Sequence, residues 1–557
     1  YLTYIAVHGK TDESGSLVDL DNEMLPSRTK NDMKGKNKGY WEEGFKGIKY
    51  ANIAISRLDG AEYKDEAERN AVLGAAYFQR AYRYYKLTHQ FGDVPYLDKE
   101  ITEPKLDFYS YDRWSILEQC KKDLEFAYQW VPEVQPRGRA NKDACGVLLM
   151  KICMAVGDFD RAIAVGKEVV GRHPLMTGRF TGNQTKPNTN LMHDLHSVEA
   201  KIDMSNTEGI MYVVAHPTTT PLDKDNRIYT MRNALPYWAK GGAIKTPDGK
   251  TGTAIAPDEA DKNTEIDNDT KYGRGIGTCR PTNYYQYEIW GEKEKNDLRG
   301  PFNHDSWRRM EDLRYNDPGL KKTNNPYYGQ NLIRPVDLSV ADSIRCWYMW
   351  PHYKVFVPDP TKTQELQGGE TPRYVYRSAE VYLMMAECYY WKGDATNEAA
   401  MLNVVRARAG AEPLSGNIGI AEVLAERARE LYYEENRHVE LVRISYLYAK
   451  TGKPCEALGG RVYKLDNFSG PGGVGTNCKD AGVNFYFDWV MVHNNFFNKG
   501  VKIPNGEYRM SVHHVLWPVP ETAITSNTGG VINQNIGYPG AEDNLEPLKV
   551  EPVDPAI

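Results

Sequence analysis

Long apolar runs are missing from this chain. No stretch of about 18 apolar residues occurs in its 557 positions, so the sequence predicts no membrane-spanning helix. Paired cysteines are missing as well. The eight cysteines stand at 120, 145, 153, 279, 346, 388, 455 and 478 with no CxxC spacing, which excludes a dense disulfide framework and the common zinc motifs. Cys120, Cys145 and Cys388 fall on apolar helix faces and read as small hydrophobes; Cys455 and Cys478, both in loop-like sequence, are the one pair a disulfide could join. A net charge of -6 with no basic stripe gives no footprint for nucleic acid. No signal pattern opens the chain at Tyr1, as expected if a targeting peptide has been removed.

Catalytic and metal motifs are also lacking. HExxH and GxSxG do not occur, and neither HDLH (193 to 196) nor His513-His514 has a third spaced ligand. Gly273, Gly275 and Gly277 lie in KYGRGIGTC without the strand-then-helix context of a phosphate cradle. No enzyme activity, cofactor or metal is predicted.

Phenylalanine is sparse beside tyrosine, 14 against 38 with 11 tryptophans, which favours aromatic rings that carry a polar tip. Helical periodicity organises much of the rest. Trp41, Phe45, Ile48, Asn52 and Ile55 share one face of a helix starting near Tyr40, and the lone Asn is read as a core residue tying helix to loop backbone. Further helices are predicted from Glu66 to Phe91 and from Trp114 to Val131.

Residues 141 to 172 carry Cys145, Leu148, Ile152 and Ala155 on one stripe, a Gly157-Asp158 turn, and Ala162, Val165 and Val169 on the return. Residues 373 to 409 repeat the design: Tyr376, Ala379, Leu383, Ala386 and Tyr390, then Gly393-Asp394, then Ala395, Ala399, Leu402, Val405 and Ala409. Two such αα-hairpins, each near the ~34-residue period of tetratricopeptide repeats, predict a mainly α scaffold over 40 to 172 and 373 to 450. Residues 451 to 557 read as a loop-rich C-terminal part of the same single domain.

A third helix follows, bearing Glu426, Arg427, Glu430, Glu434, Arg437, Glu440 and Arg443 along one side. Paired carboxylates are the requirement of a glycoside hydrolase. Here each Glu has an Arg within a turn, which holds it ionised, so a salt-bridge network is the expectation.

Between the hairpins, residues 173 to 372 form a loop-rich insert with few strand-like runs, IMYVVAH (210 to 216) among them. Aromatic clusters crowd it. Because ring faces stack on sugar C–H faces, Tyr237, Trp238, Trp290, Trp307, Tyr327, Tyr328 and Trp350 are the candidate ligand-binding residues.

Four blocks carry a resemblance: YWEEGFKGIKYANIAI with AAYFQRAYRYYKLTHQFGDVPYL; the Gly157 hairpin; RYVYRSAEVYLMMAECYYWKGD with LNVVRARAG and ERARELYYEENRHVELVRIS; and VLWPVPETAITSNTGGVINQNIGY. Together they span nearly the whole chain, which resembles the SusD/RagB family of surface nutrient-binding lipoproteins. Asn436 stands where that family usually has Gly and Glu440 where it has Asp; Asn tolerates left-handed backbone. The resemblance implies a tetratricopeptide-like scaffold and a non-enzymatic protein on the outer-membrane surface, held by an N-terminal lipid anchor outside this chain. It also implies an oligosaccharide ligand and a SusC-like TonB-dependent transporter as partner. The alternative is a protein-interaction scaffold that binds peptide or transporter loops.

Overall fold

A computed structural model describes residues 2–13, 16–28, 36–181, 189–214, 230–303, 306–358, 366–466, 468–469 and 482–555. The fold is mainly α, and its scaffold starts with five helices. They are α1 (Lys36–Ser56), α2 (Glu66–Gln90), α3 (Arg113–Trp130), α4 (Lys142–Val156) and α5 (Phe159–Arg172), each packed on the next. Short polar side chains start three of them: Asp65, Asp112 and Asn141 accept hydrogen bonds from the backbone N–H groups of Glu68, Ser115 and Ala144.

Asn52 ties helix to loop: its Nδ2 donates to the Leu97 carbonyl at 2.9 Å and its Oδ1 accepts from Arg80 at 3.3 Å. Arg80 is in turn paired with Asp123 at 2.7 Å.

Both Gly-Asp turns are built alike. Gly157 (φ 90) and Gly393 (φ 73) take the left-handed conformation that ends α4 and α6 (Ser378–Lys392). Asp158 and Asp394 then cap α5 and α7 (Ala395–Ala409) by accepting from the N–H groups of Arg161 and Asn397. α5 packs directly against α6. At Gly166 a Cβ would come within 2.8 Å of Met150 Cε and Met385 Cγ, so the second hairpin extends the first although some 200 residues separate them in sequence. An antiparallel strand pair, Gly209–Val213 with Arg373–Arg377, joins an early part of the excursion, the insert of residues 173 to 372, to its return.

Three features depart from the periodicity. Tyr376 lies in that second strand, where Tyr374 and Tyr376 alternate with Val375 and point inward; the helix begins only at Ser378. The charged third helix is two helices, α8 (Ile420–Leu431) and α9 (Arg437–Thr451), separated by Tyr432-Tyr433-Glu434-Glu435-Asn436. Phe485–His493 forms a further helix, α10, packed on α9 within the part that reads as loop-rich. Asn436 has φ -80; the left-handed residue of the α8–α9 turn is Tyr433, at φ 65. Cys455 is buried, while Cys478 lies outside the described residues.

Most apolar side chains form one core running through the scaffold and α10. A second core sits wholly in the excursion around Trp238, Met310, Leu313, Trp347 and Trp350.

Candidate functional site

The turn between α8 and α9 is held from the excursion side. Tyr432 stacks on Tyr285 with ring centroids 3.7 Å apart and planes 16° from parallel, Tyr433 meets Tyr432 edge-on at 4.5 Å, and the Tyr433 hydroxyl donates to the Cys279 carbonyl at 3.1 Å. A bulky residue at positive φ costs on the order of 1–3 kcal/mol, and these contacts fix it.

Two cavities open on either side of this pair. One, ≈ 460 Å³, is bounded by Thr3, Ile5, Tyr40, Trp517, His438 and Arg437 as well as both tyrosines. The other, ≈ 340 Å³, lies where excursion and scaffold meet. Its scaffold wall is Tyr82 and Lys86 of α2, the strand residues Arg373 and Tyr374, and Tyr432, Tyr433 and Glu434; its excursion wall includes His196, Lys201, Val213, Lys354 and Val357. Rings with polar tips beside charged groups in a concavity of this size suit a small polar ligand.

Behind this second cavity stands the predicted charge network, and it is buried. Glu430 receives Arg299 at 2.8 Å and Arg377 at 2.5 Å, and also contacts Arg408. Glu426 receives Arg299, Arg406 and Arg429 at 2.8, 3.1 and 3.0 Å. Farther on, Glu387 pairs with Arg443 at 2.7 Å and Glu440 with Lys151 at 2.9 Å. Burial by itself would raise the Glu426 carboxyl, but Arg299, Arg429 and Arg406 hold it down to about 2. Glu430 is held well below the usual carboxylate range in the same way. Neither can carry a proton near neutrality, so neither can serve as the general acid of a hydrolase.

The aromatic residues singled out from the sequence are not gathered in one place. Trp290 and Trp307 belong to the main core, 6.2 Å apart and beside Tyr285, while Trp238 and Trp350 belong to the second core. All four indoles are at most 4% exposed. Their N–H groups are satisfied internally, by the carbonyls of Gly273 (Trp238), Tyr285 (Trp290) and Arg299 (Trp307) and by His352 Nδ1 (Trp350). Tyr237, under the Arg345 guanidinium, and Tyr327 and Tyr328 are half-buried at the edge of the second core. None of the seven lines the cavity at the junction. Sequence reasoning missed Tyr82, Lys201, Lys354, Arg373, Tyr374, Tyr432 and Tyr433; the available signals were the alternating RYVYR strand and an unbroken YYEEN between two helical runs.

Comparison with known families decides the class. The model described as "SusD family" matches residues 216–538, more than half of the chain. The chain belongs to the SusD family. A second model, described as "Starch-binding associating with outer membrane", matches residues 8–154. Among curated relatives, SusD-like protein P2 of Formosa agariphila is 30% identical over 189 residues, 31% of this chain and 37% of that protein. SusD-like protein P25 of the same organism is 25% identical over 427 residues, 72% of this chain and 69% of the relative. Among solved structures, "Surface glycan-binding protein A from Bacteroides thetaiotaomicron in complex with laminarihexaose" superposes with TM-score 0.58 at 16% identity, covering 96% of this chain and 92% of that one. SusD-family membership makes the chain a binding protein rather than an enzyme, in keeping with its arginine-clamped glutamates.

Proposed function

We propose that this SusD-family chain binds an oligosaccharide at the cell surface and passes it to a SusC-like TonB-dependent transporter, with a lipid anchor N-terminal to the chain holding it to the outer membrane. One observation carries the ligand assignment: the cavity between excursion and scaffold brings four tyrosine rings, Tyr82, Tyr374, Tyr432 and Tyr433, together with ammonium and carboxylate groups. Sugars need that combination, apolar C–H faces lying on rings and hydroxyls bonding polar groups. The relatives support the same reading, since a protein of this fold was solved with laminarihexaose bound. The aromatic rim Tyr237, Tyr327 and Tyr328 is the second surface to which a longer glycan could extend, whereas Trp238, Trp290, Trp307 and Trp350 would act only through the packing of their loops.

Isothermal titration of the full chain against a panel of oligosaccharides tests the proposal. Saturable binding to one glycan class, weakened by Tyr82→Ala, supports it. Absence of binding across the panel, with a transporter still co-purifying, would replace it with the peptide-binding or interaction-scaffold alternative.

A further inference from the structure

Charge in the junction cavity is one-sided. Lys86, Lys201, Lys354 and Arg373 line it on four different elements, and Glu434 is the one carboxylate among the described lining residues. That carboxylate is already committed, receiving Arg377 and Lys354 at 2.5 Å each. His196, also on the wall, is kept neutral by burial well below the ordinary imidazole range. Lys86 sits over the Tyr82 ring at 4.2 Å and donates to a neutral hydroxyl, that of Tyr82. Arg373 stands at the rim.

Lys201 is the informative residue. Only 6% exposed, its ammonium makes a single hydrogen bond among the described residues, a long 3.4 Å one to the Thr371 hydroxyl, and no ion pair with a carboxylate. A buried ammonium without a bonded counter-ion is costly; Arg373 and Lys354 add to the cost, and the more distant charges of Glu434 and Glu199 offset part of it. Burial is the main cause and, with the opposing charges around it only partly offsetting one another, the group is pushed down to about 8. Structural lysines are buried with partners, as Lys151 is with Glu380 and Glu440 in the same protein. Lys201 lacks one, and the open space beside it is the cavity.

Resting on the glycan reading above, we infer that this cavity is a subsite for an acidic sugar, whose carboxylate or sulfate ester sits between Lys201 and Arg373 while its ring lies against Tyr374 and Tyr432-Tyr433. The anion supplies the counter-charge that Lys201 lacks, and a charge-assisted bond to a buried ammonium is among the stronger polar contacts a ligand can make.

The test is titration calorimetry of the full chain with three oligosaccharides of equal length: a neutral glucan, a uronate oligomer and a sulfated oligomer. We expect one of the two acidic ligands to bind at least about tenfold more tightly than the neutral one, which also tells a carboxylate from a sulfate. Lys201→Met should then lose at least about tenfold in affinity for that ligand with no drop in melting temperature, and Arg373→Ala, at the rim, should weaken the same ligand without touching the core. Equal binding of neutral and acidic ligands, or affinity unchanged in both variants, overturns the acidic subsite while leaving glycan binding in place. Failure of all three ligands to bind overturns both.

Discussion

Tyr432 and Tyr285 lie face to face at 3.7 Å, one from the turn between two scaffold helices and the other from the excursion. Through this contact the excursion fixes the strained Tyr433 between the two cavities, so the shape of the junction depends on a stacking pair rather than on a continuous helix. Replacing Tyr285 by Ala should cost roughly 3–5 kcal/mol of stability. In a double-mutant cycle with Tyr432→Ala by urea denaturation, a coupling of about 0.5–1.5 kcal/mol is expected. Additive losses would mean that the rings do not communicate.

The two left-handed glycines allow a clean comparison. A Cβ built on Gly157 or Gly393 meets nothing within 4 Å, so substitution costs only the backbone conformation. Gly157→Ala and Gly393→Ala should each lose about 1–2 kcal/mol in chemical denaturation, equally within error. A markedly larger loss at one site would show that the hairpins are not equivalent.

Glu430→Gln removes a buried charge that Arg299, Arg377 and Arg408 share, and should destabilise by about 3–5 kcal/mol. Acid should act in the same direction. Glu426 titrates at about 2 in the folded state against ~4.3 unfolded, so it contributes stability of order 3 kcal/mol that is complete above the unfolded value. That contribution is lost as pH falls through the folded value. Melting curves between pH 6 and 2 check this, and a Glu426→Gln variant should lose less stability over that range than the parent.

Lys201 gives the opposite slope. Its folded value of about 8 lies below the unfolded ~10.4, so the unfolded chain binds the extra proton between them and stability rises with pH across that window. Lys201→Met should flatten the rise and stabilise the protein at pH 7 by about 1–3 kcal/mol. A variant less stable than the parent at pH 7 would show that the ammonium has a structural partner after all.

The scaffold was legible where local rules decide. Gly-Asp turns announce themselves because left-handed backbone and N-capping each demand a residue type, and Asn52 on an apolar face could only be a bonded core residue. The α8–α9 break was hidden because it contains neither Gly nor Pro; tertiary stacking holds Tyr433 at positive φ where local preference would continue the helix. The RYVYR strand was absorbed into a helical pattern because Ser378 starts the helix with no punctuation. Aromatic clusters in the excursion suggested an accessible platform, but an indole whose N–H finds an internal acceptor is as well suited to a core, and which carbonyl lies within reach is settled only by the fold. Lys201 was invisible for the same reason: a lysine in VEAKI is ordinary until its surroundings are known to offer its ammonium no bonded carboxylate.

The most direct test is a crystal structure of the protein with the tightest-binding oligosaccharide from the panel. We predict a sugar ring in the cavity where excursion meets scaffold, against Tyr374 and Tyr432-Tyr433, with an acidic substituent within hydrogen-bond reach of Lys201. A ligand seated only elsewhere, such as over Tyr237, Tyr327 and Tyr328, with the junction cavity empty, would contradict the assignment.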